Sequence, residues 1–187
     1  MPIPESPERR FSYEDYVTWP DDERWEIIDG EPYAMTPAPT TRHQSIVAQL
    51  TAFLAPALRG HPCRVFPSPI DVVLSPHDVV QPDVIVVCDR TKITPANIQG
   101  APDLVVEILS PSTSLKDRRT KFALYERHGV REYLLVDPEG ATVEAFSLGE
   151  DGAFQRARVY GRGETLELRS LGGLPIALGD VFGAEEL

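Results

Sequence analysis

Apolar and polar positions along this chain alternate between two periods. Across residues 41–60, apolar side chains recur at Ile46, Val47, Leu50, Phe53, Leu54, Ala57 and Leu58. That three-and-four spacing predicts a helix with one face in a core. Thr41-Arg42-His43-Gln44 has the Thr-x-x-Gln form of a capping box at its start, and Arg59-Gly60 ends it. His43 stands three and four positions before Ile46 and Val47, so it shares the buried face. A second long helix is predicted over 114–128, with Ser114 as cap, Asp117 in the first turn and Gly129 as the stop. It places Asp117, Lys121 and Tyr125 four apart on one stripe. Ser12-Tyr13-Glu14-Asp15 opens a shorter helix that ends near Trp19-Pro20.

Strands are predicted on either side of these helices. Residues 24–28 and 31–35 flank Asp29-Gly30, a strong hairpin signal. Glu26 alternates with Ile28 and faces either inward or solvent. Four further strands are read at 64–66, 70–74, 79–87 and 104–109, with a long loop over 88–101. After the second helix come 132–136 and 141–147, then 154–160 with 165–168 as the last hairpin. The tail from Gly172 ends in a short apolar piece around Val181-Phe182. Residues 1–10 read as a loose arm, and the 187 residues suit a single domain with one sizeable core.

Two of the apolar runs contain one acid each. Leu104 to Leu109 is apolar except for Glu107, and the run 83–87 is apolar after Asp83. A near-continuous apolar run is the mark of a strand covered on both faces. A carboxylate inside one is costly unless it is paired or bound to a metal. Pro82 has no N–H to donate, which puts Asp83 near a strand end. Asp103 and Glu107 share a strand, with α-carbons about 13 Å apart, too far to hold one cation. Asp83 lies on another strand, and neighbouring strands run about 4.8 Å apart, so Asp83 and Glu107 can converge if their strands pair. Two carboxylates with a lysine nearby suit Mg²⁺-assisted phosphodiester hydrolysis, with water and substrate phosphate completing the shell.

Charge alters this picture in one respect. The net charge is −11, whereas a protein that coats nucleic acid is normally basic. The basic residues that do cluster are Lys116, Arg118, Arg119, Lys121, Arg127 and Arg131, in and just after the second helix. No apolar run approaches the roughly 20 residues of a membrane helix. The N-terminus has no apolar signal core, so a cytoplasmic protein is expected. Cys63 and Cys88 lack a Cys-x-x-Cys spacing and are read as buried thiols in preference to a disulfide or a zinc pair.

The segments W-E-I-I-D-G-E-P-Y, H-Q-S-I-V, Q-P-D-V-I-V-V, P-D-L-V-V-E-I-L-S-P-S-T and K-F-A-L-Y-E-R-H-G-V occur in that order between residues 11 and 148. Together they resemble the Uma-type restriction endonuclease-like family of the PD-(D/E)XK nuclease superfamily, and the last three are the specific ones. The resemblance implies an α/β fold, a restriction endonuclease-like mixed β-sheet flanked by helices, with additional β-hairpins. It matches Asp83 to the motif aspartate and Glu107 to the second acid. The superfamily lysine is replaced here by Leu109, and the resemblance implies that Lys121 on the following helix serves instead. His43 or Glu26 would complete the metal shell, and Lys116, Arg118 and Gln81 are the candidates for holding substrate. The activity implied is an endonuclease acting on DNA with Mg²⁺ or Mn²⁺, and a homodimer is expected because cutting both strands of a duplex suits two-fold symmetry. The alternatives are a catalytically silent binding module on the same fold and a metal-dependent hydrolase of small phosphoesters.

Overall fold

Local signals set most of the elements, seen here in a computed structural model that describes residues 10–20, 23–35, 39–110 and 114–183. The arm at 1–9, the loop at 36–38 and the cap expected at the Ser114 side chain lie outside the described residues. Ser12 and Asp15 form a reciprocal capping box that starts helix α1 (Tyr13–Tyr16). Strands β1 (Trp25–Ile28) and β2 (Glu31–Ala34) pair antiparallel across Asp29 and Gly30. Those two residues have φ of 55° and 82°, the left-handed pair that a type I′ hairpin turn requires.

Helix α2 (Thr41–Ala57) begins one residue earlier than its capping-box pattern suggests. Thr40 is the cap, and its side chain accepts the N–H of His43. The helix buries Ile46, Val47, Leu50 and Leu54, with Leu58 just past its end. Fully burying one such side chain contributes roughly 1.5–3 kcal/mol.

The chain then lays down β3 (Arg64–Pro67), β4 (Val72–Ser75), β5 (Asp78–Val80) and β6 (Val84–Val87). The single strand expected at 79–87 is thus two strands, β5 and β6, in different sheets. Gln81-Pro82-Asp83 is the handover, and Pro82 cannot continue a hydrogen-bonded ladder. The long loop at 88–101 contains a 3₁₀ turn, Arg90–Lys92, and the short strand β7 (Ile98–Gln99), which runs parallel to β4.

Next come β8 (Leu104–Ile108), α3 (Ser114–Lys116), a π-helical turn (Asp117–Lys121) and α4 (Phe122–Arg127). Gly129, at φ 78°, follows that helix, as its position in the sequence predicts. The C-terminal part contains β9 (Glu132–Asp137), β10 (Thr142–Leu148), β11 (Phe154–Gly161), β12 (Thr165–Leu168), β13 (Leu174–Ala177) and α5 (Leu178–Phe182). The last hairpin is not 154–160 with 165–168: β11 pairs with β10, and β12 pairs with β13.

Six strands form the central mixed sheet in the order β11-β10-β9-β8-β6-β3, with β8 and β9 parallel. An outer sheet runs β2-β1-β5-β4-β7. Strand alternation divides the core. Val84, Val86, Leu104, Val106 and Ile108 face α2, the β12–β13 hairpin and α5. Ile85, Val87, Val105 and Leu109 face the other way, toward α4 and the inner surface of the outer sheet. Ile27, Val73 and Val79 point outward from that second sheet and are covered by Phe11, Tyr13, Tyr16 and Trp19.

Cys63 and Cys88 form a disulfide, contrary to the expectation of two free thiols. The reason is register: Arg64 pairs with Val87, so the residues just outside that pair are brought together. A spacing of 25 along the chain carries no such information. No helix among the described residues is long and apolar enough to cross a membrane.

Candidate active site

Register brings the two strand acids together. Val84 pairs with Val106 across β6 and β8, so Asp83 and Glu107 occupy the next step of the ladder. Glu107 alternates with Val106 and lies on the α4 side of the central sheet, where Lys121 and Tyr125 meet it, whereas Asp83, just before β6, turns its carboxylate toward the end of β8 and the start of α2. Asp83 Oδ2 accepts the N–H of Ile108 at 2.8 Å, tying the start of β6 to the end of β8. It also faces Nε2 of His43, at the start of α2, at 3.2 Å. Nδ1 of that imidazole is buried and has no hydrogen-bond partner among the described residues.

Glu107 is 4% exposed. Its Oε1 accepts from Lys121 Nζ at 2.8 Å and from the Tyr125 hydroxyl at 2.7 Å. Oε2 of Glu107 and Oδ1 of Asp83 accept no hydrogen bond from the described residues. The π-helical turn carries Asp117 and Lys121 into this buried space, and such turns recur at functional sites. Lys121 Nζ also meets Glu26 Oε1 at 2.9 Å and approaches Asp117 Oδ1 at 3.8 Å.

Glu26 faces inward with Ile28 and is only 2% exposed. It was expected among the metal ligands, but both its oxygens are taken. Oε1 receives Lys121 and the Gln81 N–H at 3.0 Å, and Oε2 receives Lys116 at 2.6 Å. Gln81, expected at the substrate, is buried, and its side-chain amide is saturated. Its oxygen accepts from Arg24, and its nitrogen donates to Asp71 and to the Tyr16 hydroxyl. Lys116 is partly exposed and lies 4.6 Å from the ring centre of Tyr33. Arg118 is exposed and paired with Glu144.

Electrostatics separate the two glutamates. Burial disfavours charge on both. For Glu26, the ammonium groups of Lys121 and Lys116 outweigh burial and hold the carboxyl down to about 2. For Glu107, burial wins: Lys121 opposes it, but Asp117, Asp83 and Glu26 add repulsion, and the carboxyl rises to about 8. Lys121 is itself buried, yet Glu107, Glu26 and Asp117 keep its ammonium charged well above the ordinary lysine range. Carboxylates pushed apart by their surroundings are a mark of functional sites.

Among the described residues, no group of three or more His, Cys, Asp and Glu side chains could cage a metal. Two uncommitted carboxylate oxygens on adjoining strands do fit Mg²⁺, which usually takes one or two protein carboxylates and fills its octahedron with water and substrate. His43 Nε2 is turned to Asp83, and both Glu26 oxygens are held by lysines and the Gln81 N–H.

A protein-family model described as "Putative restriction endonuclease", Uma2, matches residues 13–179. The chain belongs to the Uma2 family. A Synechocystis relative, "Uncharacterized protein slr1290", is 31% identical over 173 residues, covering 90% of each chain. A crystal structure titled as a putative nuclease belonging to DUF820, from Anabaena variabilis, superposes with a TM-score of 0.74 at 20% identity. That match covers 92% of this chain and 97% of the other, and it shows that the two share one mixed α/β fold. Four contacts in the site were not foreseen: the Tyr125 hydroxyl on Glu107, Lys121 and Lys116 on Glu26, and the Gln81 N–H on Glu26. The first had a signal, since Tyr125 follows Lys121 by four residues.

Proposed function

We propose that this protein is a magnesium-dependent endonuclease that hydrolyses phosphodiester bonds of DNA, with Mn²⁺ able to replace Mg²⁺. The observation that supports this reading is the placement of Asp83 and Glu107 at facing positions of two paired strands, with Lys121 hydrogen-bonded to Glu107. Asp83 and Glu107 would hold the cation through the oxygens that accept no hydrogen bond among the described residues. When bound, the cation supplies a water of lowered pKa and neutralises charge on the phosphate.

The chain's own groups do the remaining work. An ammonium has three N–H donors. Lys121 gives short bonds to Glu26 and Glu107, which leaves one donor for the attacking water or a phosphate oxygen. Glu26 is the buried counter-charge that keeps both Lys121 and Lys116 in place. His43 steadies Asp83. Lys116 and Arg118 are the cations on the same helical segment that would meet substrate phosphates. A two-fold dimer would give each strand of a duplex its own centre.

The second reading, hydrolysis of a small phosphoester, is favoured by the net charge of −11 and by the pairing of Arg118 with Glu144. One set of measurements decides. Mn²⁺ binding is followed by calorimetry for wild type, Asp83→Ala and Glu107→Ala, and cleavage is followed on supercoiled plasmid and on bis(p-nitrophenyl) phosphate. The endonuclease reading expects Mn²⁺ to bind wild type only and plasmid to be cut. Cleavage of the small diester without plasmid cutting selects the second reading. Equal Mn²⁺ binding by all three proteins removes the metal site.

A further inference from the structure

Tyr125 is fully buried, and its hydroxyl donates to Glu107 Oε1 at 2.7 Å. It has no other hydrogen-bond partner among the described residues. Lys121 Nζ bonds the same oxygen at 2.8 Å but divides its donors between Glu107 and Glu26. The tyrosine ring packs edge-on against Tyr133, with centroids 5.0 Å apart, inside the core below α4. Its hydroxyl is therefore held by packing, and Glu107 is held by the hydroxyl. Two donors on Oε1 leave Oε2 without a hydrogen bond among the described residues.

We propose that Tyr125 is a positioning residue for the cation site: with Lys121 it fixes Glu107 Oε1 inward and leaves Oε2 as the oxygen that meets a divalent ion. The inference rests on the reading of Asp83 and Glu107 as a cation site. A partner that orients a ligating group from behind is, in general, worth roughly 10-fold to 100-fold in metal affinity.

The test compares wild type, Tyr125→Phe and Tyr133→Phe. Tyr133 lies in the same aromatic core, but its hydroxyl donates to the backbone carbonyl of Asp117 and not to a carboxylate. Mn²⁺ affinity is measured by calorimetry on metal-free protein, thermal unfolding serves as the fold control, and plasmid cleavage is followed against Mn²⁺ concentration. Tyr125→Phe is expected to weaken Mn²⁺ binding roughly 10-fold to 100-fold. Its cleavage curve moves to higher Mn²⁺ by the same factor and reaches the wild-type rate at saturation, while Tyr133→Phe leaves affinity unchanged. Unchanged affinity in Tyr125→Phe, or equal weakening in both variants, overturns the role of Tyr125 and leaves the cation site standing. Failure of wild type to bind Mn²⁺ overturns the cation site and this inference together.

Discussion

Binding of a divalent cation should expel a proton from Glu107. Without metal, burial lifts this carboxyl from the ordinary 4.5 to about 8, with Asp117, Asp83 and Glu26 pushing the same way against Lys121. At pH 7 the side chain then carries about 0.9 of a proton, which must leave before the oxygen can serve as a ligand. Apparent Mn²⁺ affinity is therefore expected to fall about tenfold from pH 9 to pH 7, where a carboxylate of ordinary pKa would give no change. Calorimetry at each pH, in two buffers of different ionisation enthalpy, counts the protons: close to one released at pH 7 and close to none at pH 9.5. The other charged groups facing Glu107 do not supply this proton. Glu26 is held at about 2 and Lys121 well above the ordinary lysine range. The hydroxyls of Tyr125 and Tyr133 are also raised well above their ordinary range by burial and by Glu107. His43 faces Asp83, so His43→Gln is measured alongside as the control.

The same proton links to folding, and the sign is fixed. A carboxyl raised in the folded state contributes stability below its unfolded pKa and loses that contribution as pH rises through the folded value. In EDTA, wild type should lose stability relative to Glu107→Gln between about pH 5 and pH 8, by up to about 1.4 kcal/mol per pH unit, and run parallel to it above that. Urea unfolding at each pH measures the difference. A pH-independent Mn²⁺ affinity, or a constant gap between the two proteins from pH 5 to 8, would refute the burial argument for Glu107.

Two further outcomes follow from the packing. Lys121→Met removes the cation between Glu107 and Glu26 and should cost about 3–5 kcal/mol in denaturant unfolding, because it strands buried charge. Adding Glu26→Gln should recover part of that loss, and strictly additive losses would show that the two side chains are not coupled. The Cys63–Cys88 link closes a loop of 25 residues, so a Cys63→Ser/Cys88→Ser protein should lose roughly 3 kcal/mol, on the order of 10 °C in Tm. Two reactive thiols in the denatured, unreduced protein would count against the link. Their state also bears on the expected cytoplasmic location, since lasting disulfides belong to oxidising compartments.

Signals local in sequence carried over to the fold, and signals that depend on pairing did not. The Asp29-Gly30 hairpin, the Ser12–Asp15 capping box and the apolar stripe of α2 are set by neighbours a few residues apart. The cap of α2 slipped by one because Thr40 and Thr41 offer the same hydroxyl, and only the fold selects which is used. The run 79–87 reads as one strand because Val79, Val80 and 84–87 are apolar throughout, although they belong to two sheets. The acids Asp83 and Glu107 were legible as costly residues in apolar strands, and their meeting needed the β6–β8 register. Glu26 was ambiguous for the same reason. Its partners, Lys121 and Lys116, lie some 90 residues away, and nothing near it in the chain names them.

The position of the lysine explains why the site takes this form. Leu109, two residues after Glu107, shares its face of the strand and is buried in the core beneath α4. A lysine there would put a second charge into that core, with its ammonium on the strand that already carries the carboxylate. Placing the ammonium at Lys121 transfers it to the layer above, where the π-helical turn points it back at Glu107. The charge then needs a counter-ion from a third direction, and β1 of the outer sheet supplies Glu26. Each layer therefore contributes one group: the central sheet its carboxylates, the helical layer its ammonium, the outer sheet its counter-charge. The strand handover at Gln81-Pro82-Asp83 joins the first and last of these, because its backbone carries both Asp83 and the N–H that holds Glu26. A displacement of the outer sheet would thus reach Lys121 through Glu26 and Asp83 through the chain, so the docking of the layers and the geometry of the site are one event.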